Sequence, residues 1–186
     1  MANINTLTQR GLSLIESAMV LALAAIVVSG VLFYFESTRD NEGINEAANT
    51  IGNVVATVNK YYQANGRSKP YTGLTSEFIA KTLPGITLWE GKIQLPLGVS
   101  LDVVSATDPR YSYQLNLSNV PRDKCMNYVT ILLRQGAILK GWTKMQGGGA
   151  WLAYNGTPTE IKNMMMNACH FKDGTEKILL SVALAA

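Results

Sequence analysis

The run from Leu12 to Phe35 constrains this chain more than any other feature. It reads Leu-Ser-Leu-Ile-Glu-Ser-Ala-Met-Val-Leu-Ala-Leu-Ala-Ala-Ile-Val-Val-Ser-Gly-Val-Leu-Phe-Tyr-Phe, and its only formal charge is Glu16. As a helix rising ~1.5 Å per residue it reaches about 36 Å, enough to span a hydrocarbon core of roughly 30 Å. The stretch Met1–Gly11 ahead of it is polar and carries one charge, Arg10. A basic flank of this kind favours a cytoplasmic N-terminus, which places the body of the chain across the membrane.

Glu16 is the informative residue within the run. A carboxylate deep in a membrane helix costs of order 2–3 kcal/mol, less near the interface, and residues retained at that cost usually have a function. No basic residue lies between Leu12 and Glu36, so a countercharge comes from outside the run. A free α-amino group would serve, and a cut just ahead of Leu12 would create one. Two plainer readings compete. A secretory signal peptide would use Leu21–Ala25 as its cleavage region, but the acidic residue and the apolar continuation past Ala25 oppose that. An uncleaved signal anchor fits the length and leaves Glu16 without a role.

Compartment decides how the two cysteines are read. Cys125 and Cys169 are far apart and form no CxxC pair. In an exported protein an even count implies one disulfide; in the cytosol the same two would be buried thiols. The orientation set by Arg10 favours the disulfide, whose long loop gives a chain-entropy effect of about 4 kcal/mol. The net charge of +3 is a weak basic excess. Its positive residues do not cluster and have no interleaved aromatics, so nucleic-acid binding is not indicated.

The segment Arg10-Gly11-Leu12-Ser13-Leu14-Ile15-Glu16 resembles the prepilin cleavage motif of type IV pilins. In that family a membrane peptidase cuts after a glycine and methylates the new N-terminal residue, and a glutamate at the fifth mature position is required for assembly. The resemblance implies cleavage between Gly11 and Leu12, N-methylation of Leu12, and an assembly role for Glu16. The run from Leu12 looks like the type IVb branch, including bundle-forming and conjugative thin-pilus pilins. By the same resemblance, Cys125–Cys169 is a surface region closed by a disulfide. The physical logic is coherent: the cut removes Arg10 and creates an amine on Leu12 that can neutralise Glu16 of a neighbouring subunit in a low-dielectric core. Repeated head-to-tail contacts that do not close generate a helical filament. Gly30 is where the helix would bend within one.

The rest of the chain reads as an α+β head. Ile44, Ala47, Ile51, Val54, Val55, Val58, Tyr61 and Tyr62 keep helical spacing, which predicts one nearly continuous helix from about Ser13 to Ala64, stopped at Asn65-Gly66, the alternative being two unrelated helices with a break near Gly43. A connecting region, Arg67 to Glu90, holds a short helix near Ser76–Thr82. From Lys92 the pattern becomes strand-like: Leu101, Val103 and Val104, then a turn at Asp108-Pro109, then alternating Tyr111, Tyr113, Leu115 and Leu117. Pro121 to Gln135 reads as a helix with Met126, Val129, Leu132 and Leu133 inward. Strands are expected at Ala137–Lys144 and Ala150–Tyr154 around Gly147-Gly148-Gly149. Thr157-Pro158-Thr159-Glu160 opens a helix to about Ala168, Asp173-Gly174 turns, and Lys177–Leu184 is a last strand. The expected architecture is the type IV pilin fold: a long N-terminal helix packed on an antiparallel sheet with peripheral helices. It divides into a leader (1–11), a transmembrane and assembly helix (12–35) and a globular head (36–186).

His170 beside Cys169, with Cys125, would give three metal ligands at most, so a surface histidine is the better reading and no metal or cofactor is expected. No nucleophile elbow, phosphate loop or HExxH occurs. Met164-Met165-Met166 reads as a packing strip. Tyr61, Tyr62, Trp89, Trp142 and Trp151 read as core or subunit contacts before a sugar platform. The expected function is a structural pilus subunit, not an enzyme. Its partners would be copies of itself, the prepilin peptidase, the inner-membrane assembly machinery and, before assembly, the membrane. It would begin as an inner-membrane precursor with a periplasmic head and end in an extracellular pilus for adhesion, aggregation or conjugative contact. A minor pilin or secretion pseudopilin shares the N-terminal motif. A signal-anchored periplasmic enzyme would need a catalytic constellation, which the sequence does not offer.

Overall fold

The computed structural model describes residues 14–66, 70–138, 143–146, 152–154, 158–170 and 177–184. Two compact units divide between Asn41 and Glu42. Helix α1 covers Leu14–Ala64. Up to Asn41 its residues are exposed save the partly covered Ser17 and Asp40.

In the second unit α1 becomes amphipathic. Gly43, Ala47, Ile51, Val54, Val55, Val58 and Tyr62 are buried along one stripe, the spacing a helix needs to bury one face. Past the helix end, Gly66 adopts a positive φ of 61° and its N–H donates to the Gln63 carbonyl at 3.1 Å, as a glycine stop does. Helix α2 covers Ser76–Thr82, and the Thr75 hydroxyl caps it by accepting from Phe78 N, worth about 1 kcal/mol at such a position. Seven strands among the described residues form one antiparallel sheet: β1 (Leu88–Trp89), β2 (Lys92–Gln94), β3 (Ser100–Ser105), β4 (Tyr113–Pro121), β5 (Thr143–Gln146), β6 (Leu152–Tyr154) and β7 (Lys177–Leu184). Their order is β1-β2-β3-β4-β7-β5-β6, so the last strand in sequence sits inside the sheet. Helices α3 (Cys125–Ile138) and α4 (Pro158–Ala168) complete the unit.

The core joins the α1 stripe to the inward residues of the sheet and α3. Tyr113, Leu115 and Leu117 of β4 alternate with polar neighbours and are fully buried, as are Leu180, Val182 and Leu184 of β7. β4 carries one extra residue between Leu117, opposite Leu180, and Val120, opposite Ile178. Asn119 takes it up at a φ of 64°, and this bulge returns Val120 to the buried face. Tyr71 stacks on Tyr62 at 4.4 Å and on Tyr113 at 5.9 Å between ring centres, pinning the chain after α1 to the sheet. The edge of β3 beyond β2 is covered by α2: Val103 N donates to Ser76 Oγ at 2.8 Å, and that hydroxyl donates to Asp102 Oδ1 at 2.9 Å. An edge amide that would otherwise be open is thus satisfied.

Several expectations need correction. Pro121 ends β4 instead of opening a helix; a 3-10 turn at Arg122–Lys124 follows, and α3 begins at Cys125. Met126 is exposed, while Val129, Leu132 and Leu133 face the core. Ala137 and Ile138 continue α3, so the strand expected from Ala137 starts at Thr143. The α3 hydrogen-bond ladder carries through Gly136 despite a cost of about 1 kcal/mol for glycine inside a helix. Tyr111 precedes β4 and joins Ala106 and Ala183 in a small separate cluster. The expected tip at Gly147-Gly148-Gly149, the cap at Thr157 and the turn at Asp173-Gly174 lie outside the described residues.

Candidate functional site

The α1 segment before Glu42 presents apolar side chains on every side. Leu14 is 88% and Phe33 75% exposed, and Leu21, Ile26 and Leu32 are exposed alike. Soluble monomers rarely leave so continuous an apolar surface uncovered, and α1 is long and apolar enough to cross a membrane by length and composition. Three of its hydroxyls turn inward on the helix. Ser17 Oγ donates to the Leu14 carbonyl at 3.0 Å, Ser29 Oγ to Ala25 at 2.7 Å and Thr38 Oγ1 to Tyr34 at 2.9 Å. Each hydroxyl is thereby satisfied within the helix, and the surface can enter an apolar environment without stranding it.

Glu16 lies exposed in the first turn of α1, where the helix dipole favours an acidic side chain. Gly11 and Leu12, the residues of the expected cut, lie outside the described residues. Cys125 and Cys169 are joined as a disulfide, with Cα atoms 5.9 Å apart. The bridge ties the first residue of α3 to the residue just after α4, and Cys125 is fully buried in the core. Both sulfurs being bonded, no thiolate pair remains to join His170 in a metal site. His170 is exposed, and among the described residues no group of His, Cys, Asp and Glu could hold a metal ion.

The aromatic and methionine candidates separate by burial. Tyr62 is core, Tyr61 packs partly against Phe78 at 4.8 Å, and Trp89 is exposed beside the Glu90-Gly91 turn. Trp142 and Trp151 lie outside the described residues. Met165 packs on the core and Met166 is exposed, so the methionine run is not one packed strip. Sequence reasoning missed the joint at Gly43. A Cβ there would meet Leu97 Cγ at 3.1 Å and Pro96 Cβ at 3.3 Å, and Leu97 itself holds a φ of 62°. The Tyr128 hydroxyl donates to the Pro96 carbonyl at 3.3 Å and braces this turn. Burial pushes the Tyr128 phenol up to about 12, and it raises Tyr113 further still. A glycine inside a helical pattern, between Glu42 and Ile44, was the only signal of this joint.

An exposed apolar helix and a disulfide-closed α+β head are the parts of a filament subunit. No family model matches the chain. Two relatives, each called the major structural subunit of bundle-forming pilus, come from Escherichia coli O127:H6 (strain E2348/69 / EPEC) and Escherichia coli O111:H-. Each is 33% identical over 139 residues, covering 72% of this chain and 69% of the relative. A crystal structure of a type IVb pilin from Salmonella typhi aligns with a TM-score of 0.45 at 14% identity, over 78% of this chain and 99% of that one. The chain belongs to the family of bundle-forming pilus major subunits; it is a structural pilus subunit and not an enzyme.

Proposed function

We propose that this chain is made as an inner-membrane precursor, cut between Gly11 and Leu12 by a prepilin peptidase, N-methylated on Leu12, and polymerised by the assembly machinery into an extracellular filament. The organisation is then a leader (1–11), a transmembrane and assembly helix (12–35) and a head (36–186). The observation that carries the reading is the exposed apolar surface of α1 before Glu42, with the hydroxyls of Ser17, Ser29 and Thr38 satisfied internally. In the membrane, lipid covers that surface; in the filament, equivalent helices of other copies cover it. Burying one such side chain is worth roughly 1.5–3 kcal/mol relative to water, so a bundle of many copies is strongly held.

Glu16 supplies register in such a bundle. Apolar helices can slide past one another at little cost, whereas a buried carboxylate is stable at the position that brings a cation to it. The methylated amine of Leu12 on a neighbouring copy is that cation. The filament serves adhesion, aggregation or conjugative contact. The test is mass spectrometry of surface-sheared material from cells making the chain. A mature start at N-methyl-Leu12 in the sheared fraction is expected; a start at Met1 or beyond Ala25, with no sheared filaments, overturns the reading. Glu16→Ala should still be processed yet fail to enter filaments, and normal incorporation would remove the assembly role of Glu16.

A further inference from the structure

A cleft of about 510 Å³ opens between the second half of α1 and α3. Ala48 and Gly52 on α1 leave it room, and Gln135 Nε2 lies 3.6 Å from where a Gly52 Cβ would stand. Its polar lining is Asn49 and Asn53 of α1 with Arg134 and Gln135 of α3. Among the described residues these four side chains take part in no hydrogen bond or ion pair of the subunit. Three carboxamides and one guanidinium offer hydrogen-bond donors and make a set suited to a carboxylate.

The matching acid lies on the same helix. Glu42 and Glu46 are exposed on α1 and stand one turn apart, and like charges at this spacing destabilise a helix unless a cation relieves them. Glu42, Glu46, Asn49 and Asn53 share one exposed stripe, since i, i+4, i+7 and i+11 fall on one helix face. Asn49 and Asn53 repeat the Glu42 and Glu46 positions two turns further on, a displacement of ~11 Å along the axis. Neighbouring copies in a helical filament have their helices side by side but shifted along the axis. Because both pairs lie on one face of α1, a second copy that is shifted by two turns and turned by about half a revolution, so that the two faces meet, sets its two carboxylates level with the cleft. A contact of this kind uses two different patches of the same chain, which is what an open, non-closing assembly requires.

We infer that the α1–α3 cleft is a subunit contact of the filament, in which Glu42 and Glu46 of a second copy enter and pair with Arg134, while Asn49, Asn53 and Gln135 donate hydrogen bonds. This rests on the filament reading above and adds to it the partner surface of the head and the axial offset between neighbours.

The test is a charge-reversal series in full-length chain expressed in piliated cells, with sheared filament measured against total processed pilin. Arg134→Glu is expected to lower filament yield at least tenfold, and Glu42→Arg with Glu46→Arg to do the same. Combining all three reversals is expected to restore yield to within about threefold of wild type. Arg134→Gln, which keeps size and exposure, serves as the milder variant and should fall between. Filaments at wild-type yield from Arg134→Glu overturn the contact while leaving the pilin reading intact. Loss in all variants without rescue by the triple reversal also overturns it. Absence of filaments from the unaltered chain overturns both.

Discussion

Substituting Gly43 by alanine sets two effects of known size against each other. Glycine inside a helix is worse than alanine by about 1 kcal/mol, so helix propensity alone makes Gly43→Ala stabilising. The added Cβ, however, would sit 3.1 Å from Leu97 Cγ and 3.3 Å from both Leu97 Cδ2 and Pro96 Cβ, inside ordinary contact distance. Leu97 Cδ2 can swing away. Leu97 Cγ moves only if χ1 leaves its rotamer, and Pro96 Cβ only with the backbone of the turn, which the Tyr128 hydroxyl holds through the Pro96 carbonyl. Overpacking a fixed neighbour costs roughly 1–3 kcal/mol, so the expected net effect of Gly43→Ala is a loss of up to about 2 kcal/mol, the overlap outweighing the ~1 kcal/mol of helix propensity. Gly30→Ala is the control, because a Cβ there meets nothing within 4 Å and only the propensity gain remains. Leu97→Gly removes the clashing side chain and relieves a left-handed backbone that costs a non-glycine residue roughly 1–2 kcal/mol. In that background only the approach to Pro96 Cβ at 3.3 Å remains, so the cost of Gly43→Ala should fall. Urea unfolding of detergent-solubilised chain, followed by near-UV circular dichroism with the disulfide intact, reads all four variants. A stabilising Gly43→Ala in the wild-type background, or an unchanged effect in Leu97→Gly, would refute the joint as described.

Three further outcomes follow from the head. Replacing Cys125 and Cys169 together by alanine opens a loop whose ends are 44 residues apart, and the chain-entropy model gives a loss of about 4 kcal/mol; a loss under about 1 kcal/mol in urea would contradict that. Ser76→Ala strips the Val103 amide and the Asp102 carboxylate of a shared partner and should cost about 1–3 kcal/mol, with faster hydrogen exchange at Val103 as its local signature. Stability should fall as pH rises past about 10, because in the unfolded chain tyrosine ionises near 10 while folded Tyr128 holds its proton to about 12. The folded state then binds more protons than the unfolded one across that window, which lowers stability. Tyr128→Phe should flatten the fall, and an equally steep alkaline loss in that variant would assign it elsewhere.

Local pattern made much of this protein legible. The helix expected to end at Ala64 does so, since periodic apolar residues and an Asn-Gly stop are both local signals. α2 runs Ser76–Thr82, α4 ends at Ala168 and β7 spans Lys177–Leu184, each set by caps or alternation within a few residues. The lone carboxylate in an apolar run singled out Glu16 before any fold was known, and the two cysteines left one intramolecular pairing available. Where the signals were ambiguous, tertiary packing decided. Met126 stands on the outer side of α3 because the fully buried Cys125, Tyr128, Val129 and Leu132 already fill its inner face. Pro121 stays in β4 because it pairs with Lys177, a partner far away in sequence.

By itself, then, the sequence determined the apolar helix, the position of its single acid, the elements with strong local punctuation and the family resemblance at the N-terminus. The tertiary structure decided the insertion of β7 between β4 and β5, the bulge at Asn119, the stack of Tyr62, Tyr71 and Tyr113, the Gly43–Leu97 joint and the cleft between α1 and α3. Each of these depends on which surfaces meet across long sequence separations. Helix and strand periodicity records which face of an element is apolar, but not which distant element will cover it, and that choice is made only when the whole core is packed.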